Sequence, residues 1–465
     1  MKTLIAMLAC AVMPATAQPL ELDMNVFAQR RQIFINHMQP GSVAIFPSKP
    51  EYLRNLDVEY EYRQESNFYY LSGFEEPESI LFITPDEPRY KYVLFVRKRD
   101  PRRETYEGPR AGVEGAMATF KSDTAYFYDD FKRSMDPLPN YDRTLYYTFG
   151  INPEADKLVT EMFIQRRSGC NCSIIDPSPI VAEMRLIKNE DDLRMGLKKA
   201  IDISAQAHID ALRSIKSGMY EYEVQAVFES VYRKNGSPRN AYPCIIGSGP
   251  NSTILHYNKN TRQLNDGDLI LMDCAAEYGC YAADITRTVP VNGTFTKRQR
   301  EIYQLVLDAQ TAAMNMVKPG LTKSTLDTVI NDVLGNGLVR LGFIKEKKDF
   351  AIFSLHGYSH WIGLEVHDVG AYSINGVSRK LQPGMTFTIE PGIYVRPDVF
   401  DKMKQAGYSD EAITVFRRNV QPYMDIGIRI EDDILVTETG HKNLSAAAPR
   451  DIEAIEAAMK STTKR

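Results

Sequence analysis

Two aspartates in the stretch LILMDCAAEYGCYAADITRTVP, residues 269–290, are well placed to do chemistry. Asp273 ends one apolar run and Asp284 lies in the next, and charged side chains rarely occupy such positions unless something compensates them. If Tyr278-Gly279 forms a two-residue turn, Asp273 faces Asp284 across two antiparallel strands, with Cβ atoms about 5 Å apart. Such a pair must share a proton or a cation. The alternative is two unrelated exposed aspartates, which the apolar flanks disfavour.

Two more carboxylates lie in strand-like segments downstream. Glu390 ends the apolar run of MTFTIEPGIYV, and a Pro-Gly pair follows it. The segment DIGIRIEDDILV alternates strictly, which places Arg429 and Glu431 on one face and three isoleucines on the other. Taken alone, each acid is typical of a strand end that meets solvent. Together with the aspartate pair, they indicate a cluster of four acids.

The histidines strengthen this interpretation. The chain has seven, and four of them lie between residues 256 and 367: His256, His356, His360 and His367. Three of these four share the segment SLHGYSHWIGLEVHDVG with the single tryptophan of the chain. The spacing of His356 and His360 suits a zincin helix, but residue 357 is glycine rather than the required glutamate. The remaining histidines are interpreted as structural: His37, His208 and His441.

Charge balance predicts the content of the site. Four carboxylates balance two divalent cations, and one histidine completes a shell that is mostly oxygen. Such a shell favours hard ions such as Mn²⁺ over copper, and the cysteines lack the spacing of a thiolate zinc site. Two metals about 3.5–4 Å apart can hold one hydroxide between them as a nucleophile at neutral pH.

The elements that position these residues fall into two parts, as 465 residues lead one to expect. Residues 18 to about 185 contain the β-type runs SVAIF, NFYYLSGF, SILFIT and KYVLFVR, with one helix candidate near 25–38. This pattern predicts an α/β domain with a mixed sheet. The pattern changes just before Asn189, which can cap a helix that runs to about Ile215.

Beyond that point, the sequence predicts long helices that alternate with strands. One helix stops at Gly236, one opens with Thr296 and Gln299 at capping-box spacing, and a third follows Pro319-Gly320. The tail after about residue 450 is predicted to be a fraying helix. The predicted strands cover four segments: 268–273, 281–291, 385–395 and 426–437.

Composition excludes several function classes. The net charge of −4, with acids and bases mixed along the chain, gives no reason to expect nucleic acid or an anionic membrane as a partner. Residues 1–17 have the charged start, short apolar core and small-residue cleavage site of a signal peptide. We therefore expect an exported protein, periplasmic or secreted after cleavage. Lipid attachment at Cys10 is a weaker alternative. No other segment is long and apolar enough to span a membrane.

Five cysteines remain after the signal peptide: Cys170, Cys172, Cys244, Cys274 and Cys280. This odd and sparse set is not a disulfide framework. Cys170 and Cys172 either pair with each other or are free, small apolar residues.

Five segments in order resemble the pita-bread metallopeptidases, and within them the aminopeptidase P group: LHY, MDCAAEYGCYAADITRT, HGYSHWIGLEVHD, TIEPGIY and GIRIEDD. In the N-terminal half, YRQESNFYYLSGFEEPES and EMRLIKNEDDL resemble the accessory domain and the junction of that family. The resemblance implies an α/β (α+β) fold. It has a mixed-sheet N-terminal domain over 18–185, a pita-bread catalytic domain over 186–450 and a C-terminal tail over 451–465.

The resemblance also implies the roles of the site residues. Asp284 and Glu431 would bridge two divalent metals, Mn²⁺ in the first place, with Co²⁺ or Zn²⁺ as alternatives. Asp273 would bind one metal, and His360 with Glu390 the other. The family hydrolyses the N-terminal Xaa–Pro bond of peptides by attack of a metal-bridging hydroxide, and Glu390 would carry the proton.

Other residues match positions around the substrate pocket of the family. His256, His356 and His367 would line that pocket, while Arg429 and Tyr394 would steady the carboxylate of Asp273. The expected partners are peptides with proline at the second position, and the expected assembly is a homodimer or homotetramer.

Two departures from the family concern substrate length rather than the ligands. The chain has Asp273-Cys274-Ala275 where the family usually has Asp-Ala-Gly, and the segment 396–427 is longer than usual, so it could reshape the substrate entrance. A prolidase, which cuts Xaa-Pro dipeptides, would share the fold, the metals and the ligands. A methionine aminopeptidase is disfavoured by the large N-terminal domain. A pseudo-peptidase binding module, or a metal-free relative such as creatinase, is disfavoured because all five ligand positions are filled.

Overall fold

The N-terminal half of the protein is built on one mixed sheet. We describe it from a computed structural model, which covers residues 22–131, 144–166 and 173–461. The predicted signal peptide, Cys10, Cys170 and Cys172 lie outside the described residues. The strands of this half are β1 (Val43–Pro47), β2 (Leu53–Asn55), β3 (Val58–Glu59), β4 (Ile80–Ile83), β5 (Tyr92–Val96), β6 (Thr124–Phe127), β7 (Thr144–Tyr147) and β8 (Ser173–Ile175).

The sheet has the order β6-β5-β4-β1-β7-β8, while β2 and β3 form a separate hairpin. Strands β1, β4 and β5 pair antiparallel, and the outer pairs are parallel. The α/β fold with a mixed sheet is therefore confirmed. The helices of this half are α1 (Met24–Ile35), α2 (Ser66–Ser72), α3 (Pro101–Glu107), α4 (Gly112–Ala118), α5 (Tyr128–Phe131), α6 (Pro153–Arg166) and α7 (Ser178–Leu186).

One predicted strand of this half is wrong. The run NFYYLSGF forms helix α2, which Glu65 caps by accepting a hydrogen bond from the Phe68 N–H at 2.7 Å. The helix ends at Gly73, whose φ of 68° is the left-handed conformation that glycine adopts at low cost. Every residue of α2 is buried, so the packing of both faces overrides the strand preference of the aromatic side chains. The described N-terminal half is also richer in helix than the sequence pattern indicates.

The C-terminal half surrounds several short sheets with long helices. Its helices are α8 (Glu190–Asp192), α9 (Lys198–Ser214), α10 (Glu221–Lys234), α11 (Lys297–Met316), α12 (Lys323–Arg340), α13 (Val399–Gln405), α14 (Asp410–Val420) and α15 (Ile452–Lys460). A π-helical turn, Leu193–Leu197, joins α8 to α9. The capping roles predicted for Asn189 and Thr296 are confirmed.

The strands of the C-terminal half are β9 (Arg239–Asn240), β10 (Ile245–Ser248), β11 (Leu269–Asp273), β12 (Ala276–Tyr278), β13 (Tyr281–Ala282), β14 (Thr286–Pro290), β15 (Ser373–Ile374), β16 (Val377–Ser378), β17 (Thr386–Ile389), β18 (Gly392–Tyr394), β19 (Gly427–Arg429), β20 (Asp432–Val436) and β21 (His441–Asn443). They form the sheets β10-β11-β14, β13-β12-β9, β17-β20-β21, β15-β16 and β18-β19.

Three predicted strands are interrupted at a predicted metal ligand. Asp284 lies between β13 and β14, Glu390 between β17 and β18, and Glu431 between β19 and β20. At these points the backbone leaves the regular ladder: the Asp284 N–H donates to the Asp433 carboxylate, and the Glu390 N–H donates to the Tyr358 carbonyl. Interruptions of this kind redirect side chains, and here they turn three carboxylates towards one cavity.

The predicted register of the aspartate hairpin is wrong by two residues. The turn is Gly279-Cys280, with φ of 56° and 63°, because a tight two-residue hairpin needs left-handed backbone at both central positions. Tyr278 therefore pairs with Tyr281, and Asp273 pairs with Thr286 rather than with Asp284. A shift of two residues keeps a side chain on the same face, so the two aspartates still lie on one side of the sheet as diagonal neighbours.

Buried ion pairs join the two halves of the chain. Arg30 of α1 binds Asp192 of α8 at 2.7 Å, and Arg63 binds Glu277 of β12 at 3.2 Å. Asp368 accepts hydrogen bonds from two cations that flank the end of α7, which is discussed below. Among the described helices, none has both the length and the apolar character that a membrane crossing requires.

The long segment 396–427 forms helices α13 and α14. It packs on the outside of the C-terminal half: the Tyr408 hydroxyl donates to Asp349 at 2.5 Å, and the rings of Tyr423 and Phe343 lie 5.0 Å apart. None of its described residues lines either cavity at the candidate site. An effect of this segment on substrate length stays a prediction.

Candidate active site

One cavity of about 290 Å³ collects the predicted metal ligands. Its lining includes all five of them, namely Asp273, Asp284, His360, Glu390 and Glu431. Four of the other predicted site residues line it too, namely His256, His356, His367 and Arg429. Residues that are more than 150 positions apart in the chain therefore meet in one place.

The two aspartates are held together by a tyrosine that sequence reasoning missed. The Tyr242 hydroxyl lies 2.6 Å from Oδ1 of Asp273 and 2.6 Å from Oδ1 of Asp284. A hydroxyl has one proton and can donate it to only one of these oxygens at a time. Burial, and then the charges of the two aspartates, raise the pKa of Tyr242, so it remains protonated. The remaining crowding of carboxylate oxygens is what a bound cation would relieve.

His360 presents its Nε2 nitrogen to the acids. Its Nδ1 lies 3.1 Å from the Trp361 carbonyl, which can only accept, so Nδ1 carries the proton in the neutral ring. Nε2 then faces Asp284 at 3.3 Å, Glu390 at 3.5 Å and Glu431 at 3.9 Å. A cation placed between Nε2 and these three carboxylates would be bound by all of them. A histidine whose other nitrogen donates to a carbonyl is typical of metal sites.

The five predicted ligands form a cage that is deficient in positive charge; they are Asp273, Asp284, His360, Glu390 and Glu431. One ligand atom from each of Asp284, His360 and Glu431 lies within 4.8 Å of the others. Burial raises the pKa of Asp284 and of Glu431 well above normal, and the charges of the neighbouring acids add to this. Burial and Glu431 raise the pKa of Glu390 to about 8. The donor set of four carboxylates and one imidazole nitrogen therefore fits divalent cations.

Arg429 holds one edge of the cage. Its Nη2 donates to Oδ2 of Asp273 at 2.6 Å, and its Nε donates to Oγ1 of Thr286 at 3.2 Å. Thr286 in turn donates to Oε2 of Glu431 at 2.7 Å. These contacts confirm the predicted common face of Arg429 and Glu431. Thr286 has no sequence signal of its own, since it is one of several threonines in an ordinary strand.

A chain of hydrogen bonds leads from Arg429 to a histidine of the cavity. Nη1 of Arg429 donates to the Tyr394 hydroxyl at 2.8 Å, and that hydroxyl lies 2.7 Å from Nε2 of His356. Nδ1 of His356 donates to the Gly357 carbonyl, so the tyrosine is the donor to Nε2. Burial and Arg429 lower the pKa of His356 to about 4, so the ring is neutral at physiological pH. Tyr394 is fully buried behind the cavity rather than on its surface.

His256 and His367 lie at the exposed side of the cage. Both also line an adjoining cavity of about 290 Å³, together with Asn258, Val366 and other residues. The rings of His367 and His360 contact edge to face, 4.3 Å apart. Partial burial and His360 lower the pKa of His367, which leaves a neutral ring at the opening.

The three histidines interpreted as structural lie away from both cavities. His208 is fully buried on α9 and contacts the carbonyls of Cys274 and Ile285 at 3.2 and 3.0 Å. Burial lowers its pKa to about 3. His37 contacts the Ile33 carbonyl within α1, and His441 lies in β21. The structural role is confirmed for His208 and stays a prediction for His37 and His441.

Comparison with known proteins identifies the family. The model of metallopeptidase family M24 matches residues 195–438, and the model of the aminopeptidase P N-terminal domain matches residues 27–147. This chain belongs to metallopeptidase family M24. It is 38% identical to the Xaa-Pro aminopeptidase of Escherichia coli (strain K12), over 96% of this chain and 100% of that protein. The structure of an aminopeptidase from Pseudomonas aeruginosa superposes with a TM-score of 0.87 at 36% identity, over 96% and 100% of the two chains.

A relative of different specificity is also similar. The human Xaa-Pro dipeptidase is 30% identical over 95% of this chain and 94% of that protein. The sequence resemblance to the pita-bread metallopeptidases and the hydrolase class are confirmed, and the dipeptidase class is the weaker match. The domain boundary predicted before residue 186 lies between the two matched regions and stays a prediction.

Proposed function

We propose that this M24 chain is a dimetal-dependent aminopeptidase that hydrolyses the bond between an N-terminal residue and a following proline. The observation that carries the proposal is the cage itself: four carboxylates and one histidine converge on one cavity with too little positive charge to balance them. The full-length similarity to the Escherichia coli Xaa-Pro aminopeptidase supports the substrate class.

Two divalent cations would be held by the five cage residues. Asp273 would bind one ion, His360 and Glu390 the other, and Asp284 and Glu431 both. The oxygen-rich donor set favours Mn²⁺, with Co²⁺ and Zn²⁺ as alternatives. When bound, such cations lower the pKa of water and polarise a carbonyl, which supplies the nucleophile and the electrophile of hydrolysis.

The residues of the chain orient the peptide and move the proton. Glu390 lines the cavity, where its carboxylate can accept a proton from the attacking water and return it to the leaving proline nitrogen. The neutral rings of His356 and His367 can hydrogen-bond the carbonyl oxygen or the scissile amide, and His256 lies beside them at the cavity opening. Arg429 fixes Asp273, and Tyr394 fixes His356.

Metal dependence is tested by chelation. We expect a chelator to abolish peptide hydrolysis and Mn²⁺ to restore it. If no divalent ion restores activity to a folded, metal-depleted protein, the assignment is wrong.

Substrate length separates this proposal from the dipeptidase alternative. Hydrolysis of Xaa-Pro-Yaa peptides faster than of Xaa-Pro dipeptides supports the aminopeptidase, and the reverse order supports a prolidase. Peptides with alanine in the second position serve as the control for proline selectivity.

We also propose that the protein assembles as a homodimer or homotetramer. The β2–β3 hairpin of the N-terminal half supports this, because large apolar side chains cover it: Tyr52, Leu53, Leu56 and Tyr60 are 59%, 62%, 92% and 60% exposed. Exposed apolar patches of this kind are typical of interaction surfaces. Sedimentation velocity of the wild type and of a Leu53→Asp, Leu56→Asp double variant tests it. An unchanged monomer in both samples would contradict the proposal.

Export is the remaining part of the proposed function. The composition of residues 1–17 supports it. We expect cell fractionation to find the protein outside the cytoplasm with residue 18 as its N-terminus. A cytoplasmic protein that retains residue 2 would contradict this, and a lipid on Cys10 would favour the anchored alternative.

A further inference from the structure

Two cysteines face each other directly behind a predicted metal ligand. Strands β10 and β11 are antiparallel, and their register pairs Ile245 with Asp273 and Ile246 with Met272. Cys244 and Cys274 are the next residues beyond the Ile245–Asp273 pair, where both strands end, and pairing resumes in a register shifted by two residues with Asn240 opposite Ala276. Both side chains are buried, at 2% and 0% exposed.

The backbone hydrogen bonds show which kind of pair this is. The Cys274 N–H donates to the Ile285 carbonyl at 3.2 Å, which lies on the side of β11 away from β10. Cys274 therefore does not use its N–H towards β10, which is the arrangement of a non-hydrogen-bonded position, where opposed Cα atoms lie about 4.5 Å apart and side chains are closest. A disulfide needs a Cα separation of about 4.4–6.8 Å. Both thiols are free in the structure, and burial and then the neighbouring Cys244 thiol raise the pKa of Cys274.

The pair lies on the opposite face of the strand from the cage. Asp273 points into the cavity, so Cys274 points away from it, and Cys274 and Cys244 both contribute to the surroundings of Tyr232 of α10. Neither cysteine lines a cavity at the site. A bond between them would leave the cavity open, yet it would fix the backbone next to Asp273 and two residues after Tyr242.

We propose that Cys244 and Cys274 form a cross-strand disulfide when the chain folds in an oxidising compartment. Exchange with an oxidant of the disulfide class, such as a protein disulfide oxidase or glutathione disulfide, supplies the reaction. The two thiols lose two electrons and two protons and gain one S–S bond, while the oxidant disulfide breaks and leaves as two thiols. Because both sulfurs are buried in the folded protein, the bond forms during folding and is afterwards protected from reduction.

The bond would fix the position of the strands beside the site and would stabilise the folded protein. It closes the loop between Cys244 and Cys274, which carries His256, and it ties the strand that follows Tyr242 to the strand that ends in Asp273. Closing a loop of this size restricts the unfolded chain. The oxidised protein is therefore more resistant to heat than the reduced one. The occurrence of the bond in cells rests on the proposed export, but its chemistry does not.

The test separates these two claims. Residues 18–465 are produced in the bacterial cytoplasm and, in a second form, behind an unrelated export signal of known function. Thiols are alkylated under denaturing conditions, and proteolytic peptides are mapped by mass spectrometry without reduction. We expect a linked peptide containing Cys244 and Cys274 in the exported form, two hydrogen atoms lighter than the sum of its reduced halves. Alkylated Cys244 and Cys274 in the exported form would overturn the proposal.

Single variants provide matched controls. Cys280 is equally buried but lies at a turn, where its thiol contacts Glu75, so Cys280→Ala should keep the link. Cys274→Ala should leave Cys244 alkylated. We expect the exported form to melt several degrees above the cytoplasmic form in the wild type and in Cys280→Ala, but not in Cys274→Ala. A difference in melting temperature that persists in Cys274→Ala would also overturn the proposal. Whether residues 1–17 themselves direct export is a separate fractionation experiment.

Discussion

Two buried groups of charges in this protein are built in opposite ways. At the junction of the two halves, Asp368 lies between two cations, Arg185 at 2.5 Å and Lys188 at 2.8 Å. Burial alone would raise the pKa of Asp368, but Lys188 and Arg185 together lower it. In the cage, Asp284 and Glu431 have other acids as near neighbours, and burial and those acids raise the pKa of both.

The difference shows how to distinguish a structural acid from one kept for a ligand. An acid whose charge is balanced within the chain joins elements together, as Asp368 joins α7 to the segment after Trp361. An acid whose charge is unbalanced costs stability in the metal-free chain, and it is explained by a cation that binds there.

The largest effect should follow the loss of a shared cage acid. We expect Asp284→Ala or Glu431→Ala to remove metal binding and to lower kcat/KM by more than about 1,000-fold, because the cations would lose a ligand that both use. Metal content and peptide hydrolysis measured on the same sample check this. Glu438→Ala removes an exposed acid two residues beyond β20 and should change neither. Full turnover in either cage variant would contradict the mechanism.

The cage variants should also differ from other core variants in stability. Metal-free Glu431→Ala is expected to be no less stable than the metal-free wild type, since the substitution removes one member of a repulsive group. Chemical denaturation of both metal-free proteins measures this. A large loss of stability would show that Glu431 is a structural acid.

The next prediction concerns the junction. Asp368→Asn removes the carboxylate that two buried cations share and should lower the free energy of unfolding by about 3–5 kcal/mol. Urea denaturation measures this, and metal analysis should still find two ions per chain. If Asp368→Asn loses metal without losing stability, the distinction between the two groups is wrong.

A smaller effect is expected from the hydrogen-bond chain behind the cage. Tyr394→Phe breaks the link from Arg429 to His356 and should lower kcat/KM roughly 10- to 100-fold with both metals retained. Tyr303→Phe is a matched control, because Tyr303 is equally buried and donates to the Arg450 carbonyl away from the site. An equal loss of activity in both variants would mean that packing, rather than the chain of hydrogen bonds, is responsible.

The smallest effect is a pair of opposite pH slopes in the metal-free protein. Glu390 binds its proton more tightly in the folded state, with a pKa of about 8 against 4.5, so stability falls as the pH rises between these values. Asp368 binds its proton less tightly when folded, so its stabilising effect is lost as the pH falls below 3.8 through its folded pKa.

Melting temperatures between about pH 3 and 9 measure both slopes. Glu390→Gln should flatten the fall in melting temperature between pH 4.5 and 8, and Asp368→Asn should flatten the fall below pH 3.8. Added Mn²⁺ should flatten the fall between pH 4.5 and 8 in the wild type. Unchanged slopes in the variants would assign the pH dependence to other groups.

Much of the site could be predicted because its residues carry local signals. Asp273 ends an apolar run, Glu431 alternates with isoleucines, and His360 belongs to a dense histidine segment. Strand geometry placed Asp273 and Asp284 on one face even though the register was shifted by two residues, because side-chain direction repeats every two residues.

The rest depends on contacts that no local pattern encodes. Tyr242 bridges two aspartates more than 30 residues away, and Thr286 acts only through its contacts with Arg429 and Glu431. Helix α2 was predicted as strand, since its aromatic residues prefer strands unless packing on all sides decides otherwise.

The central claim is that the cage holds a pair of divalent cations, and a titration of metal-free protein with Mn²⁺ tests it most directly. Free Mn²⁺ is followed by electron paramagnetic resonance, and hydrolysis of an Xaa-Pro-Yaa peptide is followed in the same samples. We predict two bound ions per chain in the wild type, loss of binding in Glu431→Ala, and activity that rises with occupancy. Full hydrolysis with no bound divalent ion, or undiminished binding in Glu431→Ala, would contradict the account.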